Sequence, residues 1–450
     1  MHTLSFMVTK YKEDNNWVLY NWFNTANVVI DDVKHPLYEI LESNTKQFSP
    51  FSYEGSTSDF DYLVDEKFIV TDQEEVRNAV RGIYSTMIDK KRLSITLLPV
   101  GQECNFNCIY CSQQHHKEVR MGTKDIEVLR RFILQQKVET LRIDYFGGEP
   151  LLNPDFIFQC NNMAIELSDK ERFDFIGSSI TTNGYLLDEA LFLKLISHRI
   201  NSYQITLDGL PELHDTLRPL SNGAATFDVI YKNLVDITQI DPAINFSITL
   251  RVNFNYDTLA DPHRVAFIEK MQPFMRDKRF IVMPAAIENW KNEKKTNLYC
   301  DNNEKIFLQM KFEDEFEKLG FYMVGTILFA EPGAHSCYCS KPNNFVIFPF
   351  SDILNGMKVQ KCTRDPELKE NNIGKISESG ELIYNNNIEI WVKNALFKEK
   401  KCEDCFLVLH CFSNSCPHNN WEKKEMVCPP VKSHEKYFAR RMVQFISEHS

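Results

Sequence analysis

Three cysteines, Cys104, Cys108 and Cys111, stand at x3 and x2 spacing in the loop that follows a strand-like segment, Ser94 to Val100. Iron–sulfur cubanes are normally held by four cysteine thiolates. Three thiolates from one short loop can therefore hold three irons of a [4Fe–4S] cluster and leave the fourth for a small-molecule ligand. Other residues add chemistry. Gly147-Gly148-Glu149-Pro150 offers a backbone free of side-chain bulk, where a ligand can approach closely, beside a carboxylate suited to an ammonium group. Taken alone, the same residues describe a turn. Thr206 and Arg218, in a run that also holds Asp208, can grip a carboxylate through charge-assisted hydrogen bonds, although most arginines are solvated surface charges. Asn183 can bond a ligand or simply close a Thr-Asn-Gly turn. Adjacent His115 and His116 read as a partly exposed helix start, because no second site at ligand spacing accompanies them.

A second group, Cys337, Cys339, Cys362, Cys402, Cys405, Cys411, Cys416 and Cys428, places eight thiols near the end of the chain. Two tetrahedral zincs or two iron–sulfur clusters both satisfy such a set, since both take four thiolates. Cys160 falls in a helical pattern beside Phe156 and Met163 and is assigned to packing. Cys300 has no partner pattern.

These residues need a scaffold that brings them to one place. From Ser94 to about Ala286 the pattern alternates strand and helix, with strands at Ser94–Val100, Leu141–Phe146, Phe175–Thr181, Ser202–Leu207, Ile244–Phe254 and Phe280–Met283. Helical spacing falls at Lys124–Val138, Asp155–Ser168, Asp188–His198, Thr226–Ile237 and Asp261–Met275. Six strands alternating with helices imply a parallel sheet closed or partly closed into a barrel, with its chemistry at the carboxyl ends of the strands. The motifs fall there. Upstream, Leu4–Thr9 and Trp17–Trp22 alternate like paired strands, and Pro36–Leu41 and Glu74–Met87 carry helical spacing, which describes a small α+β unit. Downstream come a polar stretch, Asn289–Asn303, a helix at Glu304–Leu319, a hairpin from Phe345–Pro349 and Met357–Cys362, and a last helix, Ser433–Ile446.

The formal charge of −11, from 51 basic and 62 acidic side chains, argues against a general polyanion binder, so neither nucleic acid nor an anionic membrane is expected as partner. The opening Met1–Lys10 lacks a basic head followed by an apolar run, and no stretch reaches bilayer length. A reducing cytoplasm is expected. There, thirteen cysteines serve better as metal ligands than as disulfide partners.

The cysteine loop and the motifs behind it resemble the radical S-adenosylmethionine (SAM) enzymes. The resemblance implies an α/β fold: a partial (β/α)6 TIM-like barrel with an N-terminal winged-helix-like α+β unit and a C-terminal cysteine-rich SPASM module. It further implies that SAM chelates the open iron, with Gly147, Gly148 and Glu149 toward its ammonium. Thr206, Asp208 and Arg218 would serve its carboxylate, Asn183 its ribose or methionyl part, and Tyr110 would border its adenine. The late cysteines are similar to a SPASM extension, which implies one auxiliary [4Fe–4S] cluster on Cys402, Cys405, Cys411 and Cys428 and another on Cys337, Cys362 and Cys416. Cys339 is a further candidate ligand; if it does not bind, that second cluster keeps an open iron for a substrate thiolate. The x4 gap before Cys416 and Ser413-Asn414-Ser415 in place of Gly-Gly depart from the family pattern.

The implied domains are 1–88 for peptide recognition, 93–290 for the barrel, 291–336 as a bridge, 337–430 for SPASM and 431–450 as a final helix. The run Cys337-Tyr-Cys-Ser-Lys-Pro is similar to the thioether-forming branch of ribosomal-peptide maturases. The expected function is therefore formation of a 5′-deoxyadenosyl radical, hydrogen abstraction from a precursor peptide, and closure of a thioether from a peptide cysteine. A leader peptide would add a strand to the N-terminal unit, and a flavodoxin or ferredoxin would supply electrons. Carbon–carbon or cyclophane crosslinking, formylglycine formation, and a non-catalytic zinc or iron–sulfur scaffold or sensor are the alternatives.

Overall fold

The structure is a computed structural model that describes residues 1–51, 60–88, 91–117, 119–171, 173–289, 298–301, 304–323, 331–392 and 396–449. Parts of the expected polar stretch and bridge, at 290–297, 302–303 and 324–330, lie outside the described residues. The chain forms two compact units, one of Lys90–Gly325 with Lys341–Val392, the other of Met1–Asp89, Thr326–Ser340 and Lys393–Ser450. No helix among the described residues is long and apolar enough to cross a membrane.

The larger unit is built on an eleven-stranded sheet. Six parallel strands, Arg92–Leu97, Thr140–Tyr145, Asp174–Thr182, Ile200–Thr206, Ser247–Phe254 and Phe280–Ala286, lie side by side in chain order. Tyr322–Met323 extends one end, pairing parallel to Phe280–Ala286. The strands pair in this order because each is followed by a helix that buries an apolar stripe on the sheet: Thr123–Gln136 does so through Ile126, Leu129 and Ile133, at helical spacing. Pro154–Glu171, Glu189–Ser197, Phe227–Thr238 and His263–Lys270 follow the next four strands. These agree with the sequence reading to within a few residues, except that the expected Asp261–Met275 helix is shorter, His263–Lys270 followed by a 3-10 turn at Gln272–Phe274. The helix Lys305–Lys318 sets Phe312 edge-on against Phe254 of the fifth strand.

At the other end the sheet continues where no local pattern announces it. Asn344–Ser351, the first strand of the expected hairpin, pairs parallel to Arg92–Leu97, and Gly356–Gln360, Asn372–Ser377 and Leu382–Tyr384 follow antiparallel. Residues 341–392 are therefore part of the barrel sheet, whereas the cysteine-rich remainder of the expected 337–430 module is grouped with the N-terminal segments. One buried carboxylate locks the added strand. Asp125 accepts the Phe350 N–H at 2.7 Å and the Gly122 N–H at 2.8 Å, which caps the helix Thr123–Gln136 and fixes the strand beside it.

The smaller unit holds a three-stranded antiparallel sheet, Val8–Glu13, Asn16–Asn21 and Asn27–Ile30, followed by the helices Pro36–Glu42, Phe60–Asp65 and Gln73–Met87. Leu19, Ile30, Leu37, Leu63 and Phe68 form its core. The expected strand Leu4–Thr9 is broken, because Ser5 turns the chain: its carbonyl accepts the Val8 N–H and its hydroxyl the Met7 N–H. Thr3–Leu4 pairs instead with Ile69–Val70. Trp22, fully buried, packs on Phe406, and its carbonyl lies 2.9 Å from His410 Nε2. The C-terminal helix Glu435–His449 reaches the first long strand through Glu435, which accepts from Thr9 Oγ1 at 2.5 Å.

Replacing Asp125 by Ala leaves the buried Phe350 N–H without its acceptor and removes the cap on the Gly122 N–H, so Asp125→Ala is expected to lower stability by about 1–3 kcal/mol, measured as a reduced thermal midpoint.

Candidate active site

The carboxyl ends of the parallel strands open on a cavity of about 340 Å³, within the range of roughly 300–1,000 Å³ usual for small-molecule sites. Cys104, Cys108 and Cys111 line it together with Gly147 and Gly148, Thr182 and Asn183, Thr206 and Arg218. The motifs picked out by spacing thus share one wall. The same cavity is lined by Gln204, Arg251 and Asn253, and by Thr363 and Arg364 of the loop after Cys362, none of which the sequence reading had placed there. That loop is tied to the cysteine loop, since Gln113 Nε2 donates to the Thr363 carbonyl at 3.0 Å and Gln102 Nε2 to Glu367 at 2.8 Å.

The cysteine loop is shaped by its own backbone. The Phe106 N–H points at Cys104 Sγ and the Gln113 N–H at Cys111 Sγ, both at 3.4 Å, an arrangement that suits sulfurs carrying negative charge. Burial pushes the Cys104 thiol up to about 12 and the Cys108 thiol up to about 11, so these sulfurs need a metal to become thiolates. His115 and His116 do not start a helix, which begins at Thr123. His115 sits in the loop with φ of 56°, and its Nε2 lies 3.1 Å from Cys111 Sγ.

Gly147 and Gly148 are required for a reason other than ligand approach alone. A Cβ on Gly148 would sit 1.9 Å from the Glu103 carbonyl oxygen, and one on Gly147, where φ is +112°, would sit 2.3 Å from that of Gly101. The pair seats the second strand's end on the cysteine loop, with the Gly148 N–H on Gly101 O at 3.0 Å and the Glu149 N–H on Glu103 O at 2.9 Å. Glu149 is a strut. Its buried carboxylate accepts from Leu151 N–H, Thr182 Oγ1 and Asn183 N–H at 2.9, 2.7 and 2.7 Å, which fixes the second strand's end to the third. Asn183 in turn donates through Nδ2 to Asn105 Oδ1 at 2.7 Å, beside Cys104.

A second network spans the cysteine loop and the fourth and fifth strands. The Tyr110 hydroxyl donates to Asp208 and accepts from Arg218 Nη1 at 2.9 Å and Asn253 Nδ2 at 3.1 Å. Asp208 also accepts the Asn253 N–H at 2.9 Å. Burial raises the Asp208 pKa, and Arg218 and Tyr110 act against that rise. Arg218 is only 7% exposed, so it is not a surface charge, and its Nε is buried without a hydrogen-bond partner. A buried N–H without an acceptor, on a side chain that lines the cavity, is a group that a ligand carboxylate would satisfy. His214 accepts the Asp208 N–H on Nδ1 at 3.0 Å, and burial first, then Arg218, hold its pKa well below the ordinary value.

In the smaller unit, Cys402, Cys405 and Cys411 are buried, and burial first, then neighbouring thiols with Cys428 among them, raises their pKa, which places the four within electrostatic reach. Leu407 N–H bonds Cys405, and Ser413 bonds Cys402 and Cys411. Cys337 and Cys416 lie in the same unit, Cys337 donating its N–H to Ser415 O at 2.9 Å, and Cys339 is fully buried. Cys362 belongs to the larger unit, where Asn371 accepts its N–H at 2.9 Å. Cys160 is buried in its helix, as expected for packing.

Residues 98–259 match the family described as the Radical SAM superfamily. That stretch is similar to a radical SAM domain. That family implies a [4Fe–4S] cluster and SAM, and the three cysteines, the glycine seat and the orphaned Arg218 nitrogen fit both. An uncharacterized protein of Methanocaldococcus jannaschii is 32% identical over 135 residues, 30% of this chain and 45% of that protein, so the chain spans less than half of that relative's length. GTP 3′,8-cyclase of Campylobacter jejuni is 24% identical over 62% of this chain and 87% of its own length. Radical SAM cyclopropyl synthase TigE of Paramaledivibacter caminithermalis is 24% identical over 58% of this chain and 68% of its own length. Among solved structures, native anSMEcpe with bound AdoMet and Cp18Cys peptide superposes with a TM-score of 0.62 at 16% identity, covering 80% of this chain and all of that one, which shows a shared fold.

Two outcomes test this geometry. Gly148→Ala is expected to weaken SAM binding about tenfold or more, whereas Gly122→Ala, with nothing within 4 Å of the added carbon, is expected to leave it unchanged; titration of SAM into reconstituted protein measures both. The folded chain keeps His214 neutral while the unfolded chain titrates near about 6.5, so the unfolded state binds more protons below that pH and stability falls with acid. His214→Asn is expected to reduce that fall by up to about 1.4 kcal/mol per pH unit, read from thermal midpoints between about pH 7 and 5.

Proposed function

We propose that this chain is a radical SAM maturase that modifies a ribosomally made peptide and closes a thioether from a peptide cysteine. The observation that carries the reading is the single cavity in which Cys104, Cys108 and Cys111 face a glycine seat and a buried arginine with an unsatisfied N–H. When bound there, the cluster would supply the electron that cleaves SAM to a 5′-deoxyadenosyl radical. The residues of this chain do the rest. Arg218 and Thr206 hold the SAM carboxylate, and the Tyr110 hydroxyl and Asp208 fix the guanidinium that grips it. Glu149 holds the Thr182–Asn183 turn against the cysteine loop, and the strand ends shield the reacting carbon from water.

A peptide substrate is supported by two features. The similar fold of anSMEcpe was solved with a peptide bound. In the smaller unit, the strand Asn27–Ile30 forms an edge of the three-stranded sheet, whereas the opposite edge strand Val8–Glu13 is engaged by the C-terminal helix through Thr9–Glu435 and Glu13–Arg440. A leader segment would add at Asn27–Ile30. Cys402, Cys405, Cys411 and Cys428 would hold an auxiliary cluster, a group that can accept the electron left over in such a reaction. Carbon–carbon bond formation is the second reading, favoured by the similarity to a cyclopropyl synthase.

Coexpression with a cysteine-containing precursor peptide, taken from any short reading frame found next to the gene, is expected to give a product lighter by two hydrogens per crosslink with one fewer alkylatable thiol. A product lighter by two hydrogens with every thiol intact would select the carbon–carbon reading, and an unchanged peptide would count against both. Cys108→Ala is expected to abolish 5′-deoxyadenosine formation under dithionite.

A further inference from the structure

Two guanidiniums reach the cavity from neighbouring elements, and they are not equivalent. Arg218 interacts electrostatically with the Cys108 thiol as well as with Tyr110 and Asp208. Arg251 lies on the fifth strand, in register with Thr206 of the fourth, and its charged neighbours are Tyr110, Asp208, Arg218 and Glu288. Its Nε donates to Asn253 Oδ1 at 2.7 Å, while its two terminal nitrogens have no hydrogen-bond or ion-pair partner among the described residues. Burial, with Arg218 adding to it, pulls its pKa down, as for a cation short of counter-charge.

The acids nearby are already committed. Asp208 accepts from Tyr110 and from the Asn253 N–H, and its nearest approach to Arg218 is 4.0 Å. Glu288, which also lines the cavity, is paired with Lys305 Nζ at 2.7 Å. Asp208 is the buried carboxylate that both guanidiniums feel, Glu149 acts on Arg218 and the Lys305-paired Glu288 on Arg251, yet none of these acids is hydrogen-bonded to the terminal nitrogens of Arg251. A third guanidinium, Arg364, faces the same space from the loop after Cys362. A SAM carboxylate on Arg218 leaves the terminal nitrogens of Arg251 without an acceptor, in buried surroundings where unsatisfied donors of a charged group are costly.

We propose that Arg251 is a substrate-side anion grip, which selects a peptide presenting a carboxylate beside the carbon to be modified. The proposal rests on the assignment of Arg218 to SAM. The carboxylate would be an acidic side chain or a peptide C-terminus, held by the terminal nitrogens of Arg251 in the charge-assisted geometry guanidinium favours. It would orient the chain for hydrogen abstraction, as the Arg251 guanidinium is itself oriented by Asn253.

The test uses full-length, anaerobically reconstituted protein saturated with SAM, and three capped probes titrated calorimetrically: acetyl-Gly-Glu-Gly-amide, acetyl-Gly-Gln-Gly-amide, and acetyl-Gly-Gly-Gly with a free C-terminus. The Glu peptide or the free C-terminus is expected to bind at least about tenfold tighter than the Gln peptide, and whichever does so identifies the source of the carboxylate. In Arg251→Gln the preference is expected to vanish, and in Arg251→Lys, which keeps the charge without the fork, to persist in weakened form. Equal binding of all three probes by the wild type, or an undiminished preference in Arg251→Gln, would overturn the proposal. So would a loss in Arg251→Gln that falls on SAM affinity rather than on probe preference, because Arg251 would then belong to the cosubstrate. Failure of the underlying reading shows separately, as absence of 5′-deoxyadenosine from the wild type.

Discussion

The approach of the Gly147–Gly148 backbone to Gly101–Glu103 is the constraint on which the rest of the site depends. No side chain fits at residue 148, since its first carbon would fall 1.9 Å from a carbonyl oxygen. Because the two backbones touch, the cysteine loop is fixed by hydrogen bonds to the end of the second strand rather than by its own short length. Glu149, immediately after, carries that order to the third strand through Thr182 and Asn183, and Asn183 returns it to Asn105 beside the first cysteine. A buried carboxylate satisfied by three donors is costly to disturb, which suits an element that must hold sulfurs in place against a redox-active group.

The Tyr110 hydroxyl performs the matching task on the other side. It joins the loop between Cys108 and Cys111 to Asp208 on the fourth strand's end and Asn253 on the fifth, and it holds Arg218 in the cavity wall. Loop, glycine seat and arginine are therefore parts of one hydrogen-bonded frame with a cavity at its centre. The barrel sheet supplies rigidity from behind, and the added strand Asn344–Ser351 brings the loop carrying Thr363 and Arg364 to the same opening. A cosubstrate held by this frame and a peptide entering the cavity would meet at a fixed distance, which is what radical transfer to one chosen carbon demands.

Much of this was legible in the sequence, because the signals are local. The spacing of Cys104, Cys108 and Cys111, the glycine pair after a strand, and the alternation of strands with helices all lie within short windows, and the six parallel strands fall where the pattern put them. What escaped depends on contacts between distant segments. Nothing near Asn344–Ser351 reveals that it pairs with Arg92–Leu97, and nothing near Glu149 reveals that its acceptors are filled by Thr182 and Asn183. His115 was read as a helix start because its turn in left-handed backbone beside Cys111 has no glycine to announce it. Arg251 and Asn253 did leave a trace. A strand covered on both faces of a parallel sheet should be apolar throughout, so polar residues alternating with Leu250, Val252 and Phe254 mark positions that face the barrel interior.

The reading of this site turns on Cys104, Cys108 and Cys111 holding a cluster whose remaining iron SAM completes. Electron–nuclear double resonance on the dithionite-reduced protein, with SAM isotopically labelled at its methionyl amine and carboxylate, tests it most directly. Hyperfine coupling from the labelled nitrogen and oxygen to the cluster spin is expected to be present in the wild type and lost in Cys108→Ala; a reduced cluster at this loop with no coupling to either label would rule out SAM as its fourth ligand.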